Sequence, residues 1–392
     1  MRCGCWVLLG LVWASGGVAD LLGAYQSVPA KVVEQNFTGG GPSNLFPRMQ
    51  GIYNGLIVSQ GDFVAEQSGY FRINVSEFST YSGRMNVGDN TVSLEGVFND
   101  QGQASTFVYR KEWDYCGCYY YYVLVWVVDL ELVLGTDQIQ GTVHQVRQGW
   151  SSDLNGYRGY GPPDYPAREQ GKYTIRFPGS ADPAIAPPGD GYGAMKIDSH
   201  GELSISGQLA DGTDYSRSAI ISTNGWWPFY LPLNAGEGAL MGWMQFSAQP
   251  SNDVAGELLL VRPRREDKTY YPNGYVGTVP ATGARYVEAP SSATALNWTN
   301  GIVTISGGNL TASASNSVTL LPGGGLKDNG GGITGLTFSL KRGNGVIKGK
   351  FKHPVTGKKT SYAGVVDPLQ EVGGGFFLGT DQGGLIRFEA SP

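Results

Sequence analysis

The sequence predicts an all-β protein of two antiparallel, meander β-barrel-like domains with almost no helix. The chain has 60 glycines and 21 prolines in 392 residues and only 16% charged residues, which indicates dense turns and no long charged helix. Short runs alternate apolar and polar residues with the period of two that half-buried strands require. Asp211-Gly212, Asn329-Gly330 and Gly343-Asn344-Gly345 supply the positive φ of tight hairpin turns between such runs.

Strand-like runs with an internal glycine recur along the chain. They are YSGRMNV at Gly83, QIQGTVH at Gly141, SISGQLA at Gly207, VAGELLL at Gly256 and VIKGKFK at Gly349. Glycine inside a strand costs about 0.5 to 1 kcal/mol relative to alanine and packs no side chain. A sheet tolerates that cost where it bends sharply enough to close on itself, so we predict barrels rather than flat sandwiches. The alternative is that these glycines only relieve crowding beside large aromatic residues.

The first 48 residues precede the predicted barrels. Residues 1–19 read as a signal peptide, because Arg2 precedes an apolar run and Gly17-Val18-Ala19 resembles a cleavage site. Residues 20–48 show little periodicity and are interpreted as a linker or arm. The later run YYYYVLVWVVDLELVL contains Asp129 and Glu131, and we interpret it as one or two deeply buried strands. We therefore predict no transmembrane helix in the mature chain.

Two groups of strand-like segments define the predicted domains. Residues 49–165 form the first, from GIYNGLIVS to WSSDLNGY, with short turns between the segments. A joint rich in Pro, Gly and Tyr follows, GYRGYGPPDYPAREQG. Residues 170–392 form the second, from GKYTIRF to GLIRFEA. Weak internal repetition, with paired glycines in each half, predicts two related β units.

An ordered set of motifs resembles a bacterial family. GIYNGLI, SGYF, YSGRM, GDGYG, SISGQLADGT, WPFYLPL, GALMGW, YYPNGY, ISGGNLT, IKGKFKHPVTGKK and GGGFFLGTDQGG together look like the uncharacterised Gly-rich tandem β-barrel modules of secreted verrucomicrobial-type bacterial proteins. The resemblance spans about residues 51–388 and implies an exported, all-β, mostly appended module with no catalytic residues to carry over. The segment KEWDYCGCYYYYVLVWV departs from the pattern because it is longer and more aromatic.

Composition and motifs speak against several activities. The net charge of −5 makes nucleic acid an unlikely partner. The three histidines, His144, His200 and His353, are scattered and no G-x-S-x-G motif is present, so a catalytic triad has little support. Asp129 and Glu131 lie on one strand face about 7 Å apart, a separation that suits glycosidase carboxylates. The polar face of a strand is the favoured interpretation, and we predict no catalytic residue and no cofactor.

The tripeptide Cys116-Gly117-Cys118 is predicted to form an exposed hairpin tip. Two thiolates fall short of the four ligands of a structural zinc site, and a bridge between residues two apart is strained. We therefore predict no metal site. A disulfide between two chains in an oxidising compartment remains the alternative.

Aromatic residues supply the candidate ligand-binding positions. They make up 12% of the chain, and flat aromatic faces stack on sugar rings. Trp150, Trp226 and Trp227 are the predicted binding residues, although aromatics also fill the lumen of barrels of this size. A basic strip, Lys348, Lys350 and Lys352 with Lys358 and Lys359, either grips an acidic polysaccharide or is a solvated face that protects an edge strand.

The sequence thus predicts an exported, non-catalytic β-barrel module with a structural or binding role. Its predicted partner is a polysaccharide or another cell-surface component, and its location is extracellular, at the cell surface or in the periplasm. One alternative is a carbohydrate-active hydrolase with dispersed carboxylates. The other is an outer-membrane β-barrel, which the short strands and the ending RFEASP, without a terminal aromatic, disfavour.

Overall fold

Nearly all of the ordered secondary structure is β-strand. The computed structural model describes residues 31–32, 46–114, 116–162, 164–182, 185–249 and 252–392. The predicted signal peptide, 1–19, lies outside the described residues, as does most of the predicted arm at 20–48. The described helices are α1 (Phe46–Met49) and three 3-10 turns, at Ala65–Gln67, Asn234–Gly236 and Pro322–Gly324. The predicted all-β class is confirmed, and no described helix has the length and apolar character needed to cross a membrane.

The first barrel is an antiparallel meander of eight strands, with a short strand of the arm added at one edge. That short strand, β1 (Lys31–Val32), pairs with β6. The strands of the barrel are β2 (Gly51–Ser59), β3 (Gly69–Val75), β4 (Thr80–Val87), β5 (Asn90–Val97), β6 (Gln103–Trp113), β7 (Tyr120–Leu132), β8 (Gln138–Gln145) and β9 (Trp150–Arg158).

The second barrel also has eight antiparallel strands. They are β10 (Gly171–Phe177), β11 (Gly191–Ile197), β12 (Glu202–Gln208), β13 (Asp214–Ile220), β14 (Trp226–Leu233), β15 (Gly238–Gln249), β16 (Asn252–Arg262) and β17 (Tyr275–Arg285). A third barrel follows in the chain. Its strands are β18 (Asn300–Gly307), β19 (Ala314–Leu321), β20 (Gly325–Gly331), β21 (Thr334–Lys341), β22 (Val346–Lys352), β23 (Lys359–Asp367), β24 (Val372–Leu378) and β25 (Gly383–Ala390).

The number of barrels corrects the sequence prediction, because the structure has three rather than two. The stretch predicted as one domain, 170–392, contains two sheets, each of which returns to its own first strand. Strand β10 pairs with β17, and β18 pairs with β25. Alternation along a strand reports which face is buried but not which strands pair, so the count of strands alone did not reveal where one sheet closes and the next begins.

Each barrel has a seam where two neighbouring strands lie together without forming a ladder. In all three the first and last strands are paired, and the seam falls between β5 and β6, between β13 and β14, and between β20 and β21. Strand β1 covers the β6 edge at the first seam. An unpaired strand edge invites association, so such a seam has to be covered or filled by side chains.

The five predicted strand glycines all lie within strands, in β4, β8, β12, β16 and β22. At each of them a Cβ atom would come closer than 3.0 Å to a carbonyl oxygen of the neighbouring strand. In β22, for example, the Cβ of a residue at position 349 would meet Thr337 O. The glycines therefore permit close approach of the backbones, as expected for sharply curved sheets.

A tyrosine opposite a strand glycine recurs once in each barrel. The pairs are Tyr81 with Gly96, Tyr215 with Gly207, and Tyr362 with Gly349. Each hydroxyl reaches the strand beyond the glycine: Tyr81 contacts Thr106 Oγ1, Tyr215 donates to Tyr192 O at 3.1 Å, and Tyr362 donates to Thr337 O at 2.7 Å. The ring takes the place of the missing side chain and the hydroxyl ties three strands together.

Each barrel encloses its own apolar core, and two further clusters join neighbouring barrels. Phe71, Phe229 and Phe377 are fully buried examples from the three interiors. Leu56, Ala65, Tyr230, Ala239 and Met241 form the cluster between the first and second barrels. Tyr192, Ala210, Val346, Ala363, Val365 and Phe376 form the cluster between the second and third. These junctions hold the three barrels in contact along the chain.

Strand β7 corrects a second expectation, because it is not buried along its whole length. Tyr120, Tyr121 and Tyr122 are 49%, 46% and 47% exposed, and the strand becomes buried only from Val125 onward. A bulge brings both Val125 and Trp126 into the core. The β6–β7 hairpin therefore extends past the barrel wall, which explains why so many aromatics in this run remain in solvent.

Candidate ligand-binding cleft

A cleft of about 700 Å³ lies between the first and second barrels, beside the seam of the second. Strands β3 and β4 line it from the first barrel, and β13 and β14 from the second. The lining combines aromatic, cationic and small polar side chains, of which those that matter below are Tyr70, Arg72, Arg84, Asn86, Asp89, Ser216, Arg217, Ser218 and Tyr230.

Strand alternation places the side chains of β3 and β4 in the cleft. In β3 and β4 the odd-numbered residues Phe71 and Met85 are buried in the first barrel, and the even-numbered neighbours line the cleft. In β14 the residues Trp227 and Phe229 lie in the second core, while Tyr230 belongs to the cluster between the barrels. Prolines at 228 and 232 are tolerated in β14 because one edge of this strand has no ladder partner.

Arg72 and Glu202 form a two-pronged ion pair across the junction of the barrels. Arg72 Nη1 lies 3.0 Å from Glu202 Oε2, and Nη2 contacts Oε1. The hydrogen bonds that Arg72 donates to Glu202 raise the pKa of Arg72 above its ordinary value. Arg84 and Arg217 are exposed and have no carboxylate partner among the described residues.

The two tyrosines of the cleft donate their hydroxyls to the junction between the barrels. Tyr70 OH donates to Asn54 Oδ1 at 3.1 Å, and the same oxygen accepts from the backbone N–H of Ile220 at 3.1 Å. Tyr230 OH donates to Ser68 O at 3.2 Å. Burial raises the pKa of Tyr230 to about 12, so it stays neutral at physiological pH. These bonds fix the tyrosine rings at the walls of the cleft.

Glycine at position 236 allows the barrels to meet at one end of the cleft. A Cβ there would come closer than 3.0 Å to the backbone of Gly88 and Asp89, and the residue has a positive φ of 87°. The turn after β4 therefore packs directly on the turn after β14. A larger residue would push the two cleft walls apart.

The predicted binding residues Trp226 and Trp227 lie on opposite faces of β14. Trp227 is 2% exposed and packs edge-to-face on Phe229 inside the second barrel. Trp226 is half-buried outside it, stacked on Tyr157 with ring centroids 6.2 Å apart and 13° between planes, and edge-to-face on Trp243. Of the two, only Trp226 keeps accessible ring surface.

The third predicted residue, Trp150, lies on the first barrel. It packs edge-to-face on Trp126, and its Nε1 donates to Gln148 Oε1 at 2.7 Å. The structure brings neither Trp150 nor Trp226 into the cleft. Trp227 borders the cleft, but it belongs to the second core and is 2% exposed, so it presents almost no surface there. Ligand binding by the three tryptophans stays a prediction.

Asp129 and Glu131 lie on the outer face of β7, in a shallow depression of about 410 Å³. Asp129 Oδ1 accepts from Ser105 Oγ at 2.6 Å and Glu131 Oε2 accepts from Gln140 Nε2 at 2.8 Å. Both belong to one strand rather than to two walls of a cleft. Hydrogen bonds to neighbouring strands account for them as a polar outer face.

The histidines occupy three separate places. His144 Nδ1 lies 3.0 Å from Ser151 Oγ, but no carboxylate among the described residues bonds to this histidine. His200 lies beside Asp198 in an exposed turn. His353 is 1% exposed, with its Nε2 2.9 Å from Gly308 O. The arrangement of a nucleophile, a base and an orienting acid is not formed by these residues.

The β6–β7 tip brings Asp114, Cys116 and Cys118 together. Their potential ligand atoms lie within 4.8 Å of one another, and both thiols are free and exposed. Cys116 Sγ donates to Asp114 Oδ2 at 2.7 Å, and this carboxylate raises the pKa of the Cys116 thiol. Three donors at a surface are one fewer than the four ligands of a structural zinc site. The predicted absence of a metal site stays a prediction.

The comparisons with known proteins yield distant structural similarities. No protein-family model matches the sequence, and none of the curated proteins compared with it matches. A variant of transferrin-binding protein B from Haemophilus parasuis is 10% identical, with 86% of this chain and 75% of that chain covered and a TM-score of 0.22. The isotype 1 transferrin-binding protein B from Neisseria meningitidis is 12% identical, with 86% of this chain and 76% of that chain covered and a TM-score of 0.21. A Nostoc punctiforme protein of unknown function is 10% identical, with 88% and 98% covered and a TM-score of 0.17.

Scores at this level carry no functional argument for this chain. The resemblance of its motifs to verrucomicrobial modules likewise stays a prediction.

Arg84 and Arg217 are not among the binding residues predicted from the sequence. Arg84 is a single basic residue on the polar face of β4, in RMNV. Arg217, in SRSA of β13, shares its parity with the core residues Tyr215 and Ala219 but is exposed, and β13 is the strand at the seam. They line one cleft only because two barrels pack against each other. The available signal was weak, because a single arginine in a strand is usually a solvated residue.

Proposed function

We propose that the protein is an exported, non-catalytic binding protein that holds a saccharide or another cell-surface component between its first two barrels. The observation that carries this proposal is the cleft, in which two domains together line about 700 Å³ with ring surface and polar groups. Sugars present apolar ring faces and hydroxyl edges, and a mixed lining of this kind suits them.

The lining separates into groups that suit each part of a sugar. Tyr70 and Tyr230 already use their hydroxyl groups as donors within the junction. The half-buried ring of Tyr70 offers ring surface, whereas Tyr230 is 6% exposed and closes the wall behind it. Ser216 and Ser218 are exposed on β13 and offer hydroxyls. Asn86 offers its carbonyl oxygen, since its amide nitrogen donates to Thr91 Oγ1 at 2.7 Å.

The carboxylates of the cleft favour binding over hydrolysis. Asp89 is the single carboxylate among the described residues that line it. Most glycosidases place two carboxyl groups on either side of the scissile bond. The hydrolase alternative lacks a comparable observation in its favour.

A glycan array probed with the full chain tests the proposal. Ser218→Trp fills the cleft from an exposed position, and Ser339→Trp makes the same change at an exposed position on β21 of the third barrel. We expect signals on the array that Ser218→Trp abolishes and Ser339→Trp retains. Equal signals from both variants, or no glycan signal from the unmodified chain, would contradict the proposal.

Trp226→Ala is a further arm of the same screen. The half-buried ring of Trp226 lies outside the cleft lining, so loss of signal in this variant with retention in Ser218→Trp would move the site to the aromatic cluster with Tyr157 and Trp243. That result would support the tryptophan prediction and overturn the placement of the ligand in the cleft.

Export is supported by the residues at the start of the chain. The apolar run that follows Arg2 and the small residues Gly17-Val18-Ala19 are typical of a cleaved signal. Expression in a bacterial host followed by mass measurement of the protein outside the cytoplasm tests it. We expect a mass that lacks residues 1–19; recovery of the uncleaved chain from the cytoplasm alone would contradict export.

A further inference from the structure

The cleft between the first two barrels has a charge opposite to that of the chain. Three arginines line it, Arg72, Arg84 and Arg217, against one acidic residue, Asp89. The whole chain carries a net charge of −5. Clefts lined by one sign of charge concentrate ligands of the opposite sign, so this cleft favours anions in a molecule that otherwise repels them.

The arginines differ in how their charge is compensated. Arg72 is bound by both carboxylate oxygens of Glu202. Arg217 uses Nη1 to donate to Ser216 O at 2.9 Å, which leaves most of the five N–H groups of a guanidinium for another acceptor. Arg84 has no ion pair among the described residues. Two of the three positive charges in the cleft are therefore unneutralised.

The surroundings of Arg217 make its unneutralised charge costly. Nearby protein atoms remove part of its hydration and lower its pKa, and Tyr230 offsets that effect only in part. Arg72 shows the contrasting case, because its carboxylate partner raises its pKa. A partly desolvated cation gains more from an acidic partner than one in bulk water does.

Arg84 and Arg217 also belong to different domains. Arg84 lies on β4 of the first barrel, and Arg217 lies on β13 of the second. We propose that the cleft binds an acidic saccharide, with its carboxylate or sulfate group held between these two guanidinium groups. Planar guanidinium groups bind carboxylate and sulfate oxygens through paired N–H donors, which a lysine cannot reproduce. The proposal rests on the proposed function and names the ligand class of the same cleft.

Isothermal titration with three polymers tests the proposal: polygalacturonate for carboxylate, dextran sulfate for sulfate, and neutral dextran. The variant Arg84→Ala with Arg217→Ala removes the two free charges, and Lys348→Ala with Lys350→Ala removes two exposed charges of β22 as a matched control. Ser218→Trp blocks the cleft to any ligand. Thermal unfolding confirms that each variant is folded.

We expect one of the two acidic polymers to bind, and the polymer that binds identifies the acidic group. The double arginine variant should bind it about tenfold more weakly or worse, the lysine variant within about twofold of the unmodified chain, and Ser218→Trp not at all. Raising NaCl from about 0.05 to 0.5 M should weaken binding, because an ion pair carries the affinity.

The failures of the two proposals are distinguishable. Binding that Ser218→Trp abolishes but the arginine variant retains, or tighter binding of neutral dextran, overturns the anionic ligand and leaves the cleft as the binding site. An equal loss in the lysine variant shows non-specific attraction and overturns the anion site. Failure of all three polymers to bind overturns the inference, and the glycan array then decides whether the cleft binds anything.

Discussion

Gly349 shows how a missing Cβ allows two strands to approach. A Cβ at this position would lie closer than 3.0 Å to both Thr337 O and the Tyr362 hydroxyl, and the backbone there has an ordinary extended φ. Space, not conformational freedom, therefore requires the glycine. Tyr362 covers the gap and donates to Thr337 O, and burial raises the pKa of this tyrosine.

Gly349→Ala is expected to destabilise the third barrel by about 3 kcal/mol, because the neighbouring carbonyl cannot move without loss of the ladder. Gly343→Ala is the matched control, since nothing lies within 4 Å of a Cβ there and its φ is not positive. The control should change stability by less than about 0.5 kcal/mol. Urea unfolding measures both free energies, and similar values for the two variants would show that the close approach is relieved at little cost.

The two tryptophans of β14 show how much of the candidate site could be predicted from the sequence. The pair Trp226-Trp227 reads as one aromatic feature in the sequence, but consecutive strand residues point to opposite faces. Position 227 shares its parity with Phe229 and Leu231 in the core, so alternation assigns Trp227 to the interior and Trp226 to the outside. Applied to this strand, alternation would have separated the buried candidate from the accessible one.

Among the elements, the β6–β7 hairpin has a carboxylate and two thiols at its tip. The carboxylate of Asp114 accepts from Cys116 Sγ and from the backbone N–H of Cys118, both at 2.7 Å. The hydrogen bond with this carboxylate is the largest cause of the raised pKa of the Cys116 thiol. A thiol reacts as its thiolate, so the raised pKa slows oxidation and alkylation of an exposed cysteine.

Asp114→Asn is therefore expected to lower the pKa of Cys116 and increase its alkylation rate severalfold at mildly alkaline pH. The measurement uses iodoacetamide and mass spectrometry in a Cys118→Ser background, so that one thiol is followed. The reverse background, Cys116→Ser, reports Cys118 as the control and should respond less. An unchanged Cys116 rate would mean that the carboxylate does not govern this thiol.

The alternative interpretation of these cysteines, a disulfide between two chains, places the bond at the tip of this hairpin. Cys116 and Cys118 are free and exposed. A disulfide between chains predicts a dimer band on non-reducing electrophoresis that Cys116→Ser removes, whereas the raised pKa of Cys116 favours a monomer. Equal mobility of the two proteins at the position of the monomer would exclude the linkage.

For the whole molecule, the sequence predicted the class of fold better than the number of domains. Glycines at close strand contacts are visible one strand at a time, as at Gly207, and they indicate curvature. The pairings that close each barrel, such as Thr174 with Ala284, join residues far apart in the chain. The cleft depends on a further level, since Arg84 and Arg217 line one cleft only when the two barrels pack together. Each level requires contacts that local alternation does not encode.

The junction between the second and third barrels contains a buried charge cluster. Arg176 Nη2 lies 2.7 Å from Asp190 Oδ2, and its Nη1 lies 3.7 Å from Asp367 Oδ2. All three side chains are buried or nearly so, with 12%, 8% and 5% exposed. Burial raises the pKa of Asp367 above its ordinary value, and the attraction of Arg176 and two backbone N–H groups offsets this only in part. The ionised carboxylate of Asp367 is therefore a cost to the folded molecule.

The raised pKa gives the sign of a pH dependence. Folded Asp367 holds its proton more tightly than the unfolded chain does, so its contribution to stability is greatest below the ordinary pKa of 3.8 and falls as pH rises through the folded pKa.

Asp367→Asn removes this titration and keeps an oxygen for the N–H groups of Leu369 and Gln370. We expect the free energy of unfolding of the variant, minus that of the unmodified chain, to increase between about pH 4 and pH 7. Urea unfolding at several pH values measures it, with the exposed Asp164→Asn as a control for the loss of one charge. A difference that stays constant or decreases would show that Arg176 compensates the buried carboxylate in full.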